Sequence, residues 1–180
     1  MRTSTGVGDL RVAAKYNFMK APLVMSAGAT VKFPTGMFEN DAEVVPVGEG
    51  QYDVEIALEV GRPFWPRPGY LTGLVGFRLR TENGETGIDP GNELLWSLEG
   101  GFRVSSRLSF KGVFGGLHGF TTTSFGLPIA SLRRQIGYIQ PGAVIALGPH
   151  RGLELNLPVS LWGRNWPAGP IVSVGFFQRF

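Results

Sequence analysis

Apolar and polar residues alternate along most of this chain with a period of two. That period marks a strand whose two faces differ chemically. Nine segments carry it. In the first, about residues 9–19, Leu10, Val12, Ala14, Tyr16 and Phe18 lie opposite Arg11, Ala13, Lys15 and Asn17. The second, about residues 23–33, sets Ala27, Ala29, Val31 and Phe33 against Ser26, Gly28, Thr30 and Lys32. The third is the cleanest: Tyr52, Val54, Ile56, Leu58 and Val60 against Asp53, Glu55, Ala57, Glu59 and Gly61. The fourth opposes Leu71, Val75, Phe77 and Leu79 to Gly76, Arg78 and Arg80, and the fifth opposes Leu94, Trp96, Leu98 and Phe102 to Ser97, Glu99, Gly101 and Arg103. The sixth, with Leu108, Phe110 and Phe114 against Ser109, Lys111 and Gly115, is weaker. Three more follow, about residues 136–147, 153–164 and 172–180. Wound as a helix, Val54, Ile56, Leu58 and Val60 would scatter around the axis and mingle with Glu55 and Glu59. The sequence predicts an all-β, antiparallel fold.

Two architectures share such alternation. In a soluble barrel or sandwich the apolar face is the core. In a membrane barrel it faces lipid, and the polar face lines the lumen. Four features point to the second. The segments run about ten to fourteen residues, longer than the roughly five or six of a soluble strand and enough for a tilted membrane strand. Connections alternate in length: residues 20–22, 66–69, 105–107 and 149–152 are short, whereas 34–51, 81–92 and 121–135 are long. Short turns on one rim and long loops on the other suit a membrane barrel. The last connection, Asn165 to Gly169, is short where a long one is expected. Aromatics gather near segment ends, among them Tyr16, Phe18, Phe64, Trp65, Tyr70, Phe102, Phe110, Trp162 and Trp166, as in interfacial girdles. The polar face carries charges of both signs on successive segments, which can pair across ladders.

Composition sharpens this picture. Charged residues are only 17% of the chain, below the roughly 25% of soluble proteins. The net charge of +3 is spread along the chain and leaves no footprint for nucleic acid. Cysteine is absent, which excludes disulfides and thiolate metal sites. No apolar run reaches the length of a transmembrane helix, and residues 1–6 hold no apolar signal segment.

Candidate chemistry is sparse. His150 stands in a Pro-His-Arg-Gly turn. His118 has Thr121, Thr122, Thr123 and Ser124 nearby, but no spacing that indicates an orienting carboxylate. Asp53, Glu55 and Glu59 on one strand face would be about 7 Å or more apart, so lumen electrostatics beside Arg78 and Arg80 suits them better than a metal. Residues 82–92 are rich in oxygen ligands but lack calcium-loop spacing. No catalytic residue, metal site or cofactor is expected.

The chain ends Phe177-Gln178-Arg179-Phe180, with Phe176, Val174 and Val172 at alternate positions before it. This resembles the last strand of bacterial outer-membrane proteins, whose terminal aromatic belongs to the signal read by the barrel-assembly machinery. That resemblance gives Phe176 and Phe180 such a role; Gln178 departs from the usual aromatic or aliphatic residue. The opening Gly6-Val7-Gly8-Asp9-Leu10-Arg11-Val12-Ala13-Ala14-Lys15-Tyr16 is similar to a mid-barrel strand in transporters of the family labelled "MetA-pathway of phenol degradation". The resemblance implies passage of small, hydrophobic or aromatic compounds, and a signal peptide and further strands before this segment.

The expectation is an antiparallel transmembrane β-barrel, with residues 1–180 as one outer-membrane domain. Nine visible strands ending in the periplasm leave an odd number to be supplied, most simply three for a twelve-strand barrel. Arg11, Lys15, Lys32, Glu55, Glu59, Arg78, Arg80, Glu99, Arg103 and Lys111 are expected to line the lumen. Expected partners are outer-membrane lipids, the assembly machinery and a small-molecule solute. A channel is the first functional reading. A non-conducting structural or adhesive barrel, or a soluble barrel around a lipophilic ligand, are the alternatives, with an outer-membrane enzyme last.

Overall fold

The computed structural model describes residues 6–38, 46–64, 66–165, 169 and 171–178. Thirteen strands form: β1 (Leu10–Met19), β2 (Val24–Phe33), β3 (Asp53–Pro63), β4 (Gly69–Arg80), β5 (Ile88–Asp89), β6 (Glu93–Arg103), β7 (Leu108–Gly119), β8 (Thr123–Ser124), β9 (Leu127–Pro128), β10 (Gln135–Ala146), β11 (Arg151–Asn156), β12 (Val159–Arg164) and β13 (Ser173–Gln178). The main sheet runs β1-β2-β3-β4-β6-β7-β10-β11-β13, with β12 also on β10. Every ladder in it is antiparallel. Among the described residues β1 and β13 do not pair, so the ladder is open rather than closed on itself.

The alternating segments become these long strands with small shifts at their ends. One expected strand divides. Residues 153–164 form β11 and β12, separated at Leu157-Pro158. Pro158 has no N–H to give a ladder. The Leu157 N–H instead donates to the Pro141 carbonyl at 3.0 Å. Both pieces stay on β10, but only β11 also carries β13.

The long loops are not plain surface coil. Pieces of two of them make a second, three-stranded sheet, β5-β8-β9. The oxygen-rich segment 82–92 uses its side chains on its own backbone. Asn83 Oδ1 accepts the N–H groups of Glu85 and Thr86, and Asp89 Oδ1 accepts that of Gly91. These are the turn bonds that Asn and Asp make with backbone nearby in sequence.

The two faces of the main sheet are inverted relative to a soluble protein. Ile56 is 61% exposed, and Val54, Leu58, Val75, Leu79 and Leu98 are exposed beside it. On the other face Lys32 retains 2% exposure and Glu93 none. Among the described residues only Leu117 and Ile136 are buried apolar side chains. Water on the apolar face would be unfavourable over its whole area; hydrocarbon is the solvent that suits it. The polar face is covered because the sheet and its loops close over it. Glu49, just before β3, lies 3.7 Å from Arg134, just before β10. Those strands are four ladders apart, about 19 Å on a flat sheet.

Candidate functional site: the charged interior face

The polar residues of β2, β3, β4 and β6 fall into register near the long-loop rim. Lys32 stands opposite Asp53, Asp53 opposite Arg80, Glu55 opposite Arg78, and Arg78 opposite Glu93. Alternation of sign across neighbouring strands makes each contact attractive. Lys32 Nζ lies 3.1 Å from Asp53 and 3.5 Å from Asp9, and it also pairs with Glu49. Arg78 reaches Glu55 at 2.8 Å and Glu93 at 2.7 Å. Arg80 joins Asp53, Glu49 and the second oxygen of Glu93. Glu93 thus has three guanidinium neighbours, the third being Arg134 at 3.7 Å. A carboxylate removed from water is stable only with such compensation.

Loop residues complete this cluster. Asp9 accepts the N–H groups of Gly36 and Glu49, at 3.1 and 3.0 Å. It therefore pins both ends of the connection between β2 and β3. The two ends also touch: a Cβ on Gly36 would lie 2.8 Å from the Gly48 Cα, so neither position has room for a side chain. Burial alone would push the Glu49 carboxyl up. The hydrogen bond from Lys32 and the charges of Lys32, Arg80 and Arg134 outweigh that and hold it below its usual range. Burial pushes the Arg134 guanidinium down, although Glu93 and Glu49 pull the other way.

A second polar group lies toward the short-turn rim. The Tyr70 hydroxyl donates to Glu99 at 2.5 Å. Lys111 pairs with Glu154 at 2.5 Å and reaches Glu99 at 4.0 Å. Asn156 donates to the same Glu154 oxygen at 2.9 Å. Lys111 and Glu154 sit on strands separated by β10. Gly142, which stands opposite both Lys111 and Asn156, presents no side chain between them.

Between the two groups the inner face turns apolar. Leu95 is opposite Leu117, and Leu117 opposite Ile136, in one row across β6, β7 and β10. Ala57 and Gly76 continue that row on β3 and β4.

Of the side chains expected in the lumen, Lys32 and Arg80 are buried, and Glu55, Glu59, Arg78, Glu99 and Lys111 are half-buried. Arg11, Lys15 and Arg103 are exposed; Lys15 pairs with Glu59 at 2.6 Å. Arg11 and Lys15 lie on edge strand β1, with a neighbour on one side only. Glu93, Asp9, Glu49, Arg134, Glu154 and Tyr70 were not expected there. Tyr70 is a correction: sequence assigns it to an aromatic girdle, but its pairing parity with Arg78 and Arg80 turns it inward. Phe176 is exposed on the apolar face of β13; Phe180, Trp65 and Trp166 lie outside the described residues.

His118 sits on the outward face, edge-on to Phe120, with Gln135 as its polar neighbour. Among the described residues no group of three or more His, Asp or Glu side chains is arranged to hold a metal ion.

Residues 2–176 match the family described as "Putative MetA-pathway of phenol degradation". The chain belongs to this family. No curated protein matches it. The solved structures include a relative in fold, an outer membrane channel from Pseudomonas putida F1, with a TM-score of 0.79 and 17% identity. The likeness covers 96% of this chain and 65% of that one, so this chain spans less than two thirds of the channel's length. Family, fold and outward apolar belt together identify a protein of the bacterial outer membrane. The fold it shares is that of an outer membrane channel.

Proposed function

We propose that these residues form the larger part of an outer-membrane channel for small molecules. The observation that carries this reading is the inverted sheet: an apolar face outermost, and an inner face of paired charges. A wall of that kind separates an aqueous or solute-filled interior from lipid. Further strands beyond these residues, three in the simplest case, would pair with the open edges of β1 and β13 and complete a twelve-strand barrel. The expected lumen lining follows the inner face of β1 to β7.

Small hydrophobic or aromatic solutes fit best as cargo. The apolar row of Leu95, Leu117 and Ile136 lies between two charged zones; the last two are buried here, so such a solute would meet the row only once the interior opens. The compact ion cluster around Glu93 also favours a narrow resting state, in which the long-loop end conducts little.

Planar-bilayer recording on the full-length protein tests the proposal. Stepwise conductance above that of lipid alone is expected, together with entry of a small aromatic solute into protein-loaded vesicles. Correctly folded protein that passes neither ions nor solute would leave the structural or adhesive reading in its place.

A further inference from the structure

The two rims of the sheet differ sharply in charge. The connections β1–β2, β3–β4, β6–β7 and β10–β11, with the strand ends beside them, carry Lys20, Arg62, Arg67, Arg103, Arg107 and Arg151. No Asp or Glu occurs in residues 19–24, 62–70, 102–109 or 146–153. The acids are confined to the strand interiors and the long-loop rim. All six cations are exposed, and among the described residues none forms an ion pair. On the inner face, by contrast, Lys15, Lys32, Arg78, Arg80 and Lys111 are paired, and only Arg11 on the edge strand and Arg103 at the rim lack an ion pair among the described residues.

Position argues for a lipid partner. Arg62 stands opposite Leu71 in the ladder, so it points to the apolar side rather than inward. Arg151 adjoins Gly152, the inward partner of Phe177, and by the same alternation points outward. Exposed Phe64, Phe102 and Phe110 mark the same edge, with the last two rings 6.0 Å apart across their ladder. Aromatic rings at the border of an apolar belt sit at headgroup depth. Long basic side chains there lay their stems on apolar surface and carry the charge to the phosphates. Outward Arg62 and Arg151, at the same edge as exposed Phe64, Phe102 and Phe110, set cation and apolar surface together as a phospholipid headgroup and the start of its acyl chains require. The groove of ≈ 470 Å³ at this rim is a separate feature: Tyr70 and Lys111 of the inner face line it together with Arg103, so it opens toward the interior and not toward lipid.

We infer that the short-turn rim is a basic collar that binds anionic phospholipid headgroups of the leaflet it contacts. The collar needs the sheet to lie in a bilayer, but it does not need the protein to conduct. Each basic side chain near an anionic leaflet is worth roughly fivefold in lipid partition.

The test is native mass spectrometry of the folded full-length protein mixed with equal phosphatidylglycerol and phosphatidylcholine. Wild type is expected to retain phosphatidylglycerol preferentially. The variant Arg62→Gln/Arg67→Gln/Arg107→Gln/Arg151→Gln, which leaves the inward Arg103 in place, should lose roughly tenfold or more of that preference. The same four positions changed to Lys should keep most of it. Heat-modifiable migration establishes that each variant is folded. If the neutralised variant fails to fold, salt decides: at about 1 M the screening length shrinks to roughly 3 Å, and the wild-type preference must fall. Equal retention of both lipids by wild type, or a preference untouched by salt and by neutralisation, overturns the collar. A channel that fails to conduct yet retains phosphatidylglycerol would leave the collar standing and remove only the transport reading.

Discussion

Arg78 Nη1 lies 2.7 Å from Glu93 Oε2, and the Glu93 side chain is wholly withdrawn from solvent. Strand pairing sets this contact, since the two residues are direct partners in the β4–β6 ladder. Arg80 and Arg134 share the same carboxylate. Substituting Glu93→Ala would leave three guanidinium groups facing one another without their common anion. Breaking a buried charge cluster from one side costs about 3–5 kcal/mol. The expected outcome is a matching loss in equilibrium urea unfolding of the full-length protein refolded into vesicles. A loss under about 1 kcal/mol would mean that Glu93 is not the hub of the cluster.

Glu49 ties loop to sheet, and its effect should depend on pH. Its folded pKa lies below the ordinary 4.5, chiefly because Lys32, Arg80 and Arg134 outweigh burial. A depressed carboxyl pKa adds stability above the unfolded value. That stability declines as pH falls below about 4.5 and is gone once pH has passed below the folded pKa. The protection of the Gly36 and Glu49 amides, which Asp9 holds, against hydrogen exchange should fall over this acid range when each rate is compared with the intrinsic rate at the same pH. Glu49→Gln should exchange faster already at neutral pH and respond less to acid. Identical acid profiles for the two proteins would exclude Glu49 as the responding group.

Gly142 is where a single methyl should be felt. A Cβ there would meet Asn156 Oδ1 at 2.5 Å, the Leu155 carbonyl oxygen at 3.1 Å and Lys111 Cε at 3.3 Å. Gly142→Ala should therefore cost about 1–3 kcal/mol through overpacking. Adding Asn156→Ala removes the nearest obstacle and should recover part of that cost. A double-mutant cycle measures the coupling; strict additivity would show that the methyl is accommodated without moving Asn156.

Leu58 and Ala57 are neighbours on β3 that face opposite media. Leu58→Arg places a charge at mid-strand on the apolar belt, at a cost of about 2–4 kcal/mol in a bilayer. Ala57→Ser faces the interior and should change stability by under about 1 kcal/mol. Unfolding in phospholipid vesicles compares them directly. If Leu58→Arg were as mild as Ala57→Ser, the outward face could not be in hydrocarbon.

Strand existence and facing were legible from residue order. Val54, Ile56 and Leu58 against Asp53, Glu55 and Glu59 need no partner to be recognised, because the pleat sends successive side chains to opposite sides. Lys32, Glu55, Arg78, Arg80 and Lys111 are visible in the same way. Glu93 escaped notice because it opens β6 directly after a loop, one residue before the apolar positions that mark the strand. Nothing local shows that it meets three arginines. Asp9 stood out only through the Gly-x-Gly-Asp segment; its grip on the backbone at 36 and 49 depends on where a later loop returns. Tyr70 was misplaced because an aromatic near a strand end looks the same whichever way it points.

Period-two alternation, strand length and alternating connection length are local properties, and they suffice for a membrane sheet with two unlike faces. Pairing is not local. Which charges neutralise one another follows from register, and a shift of one residue would turn Arg78 away from Glu93. Curvature is not local either: it brings Glu49 and Arg134 together from strands four ladders apart. The residue order supplied the two faces, and the folding of one face over its own charges made it an interior, because only there can each ion find its partner out of water.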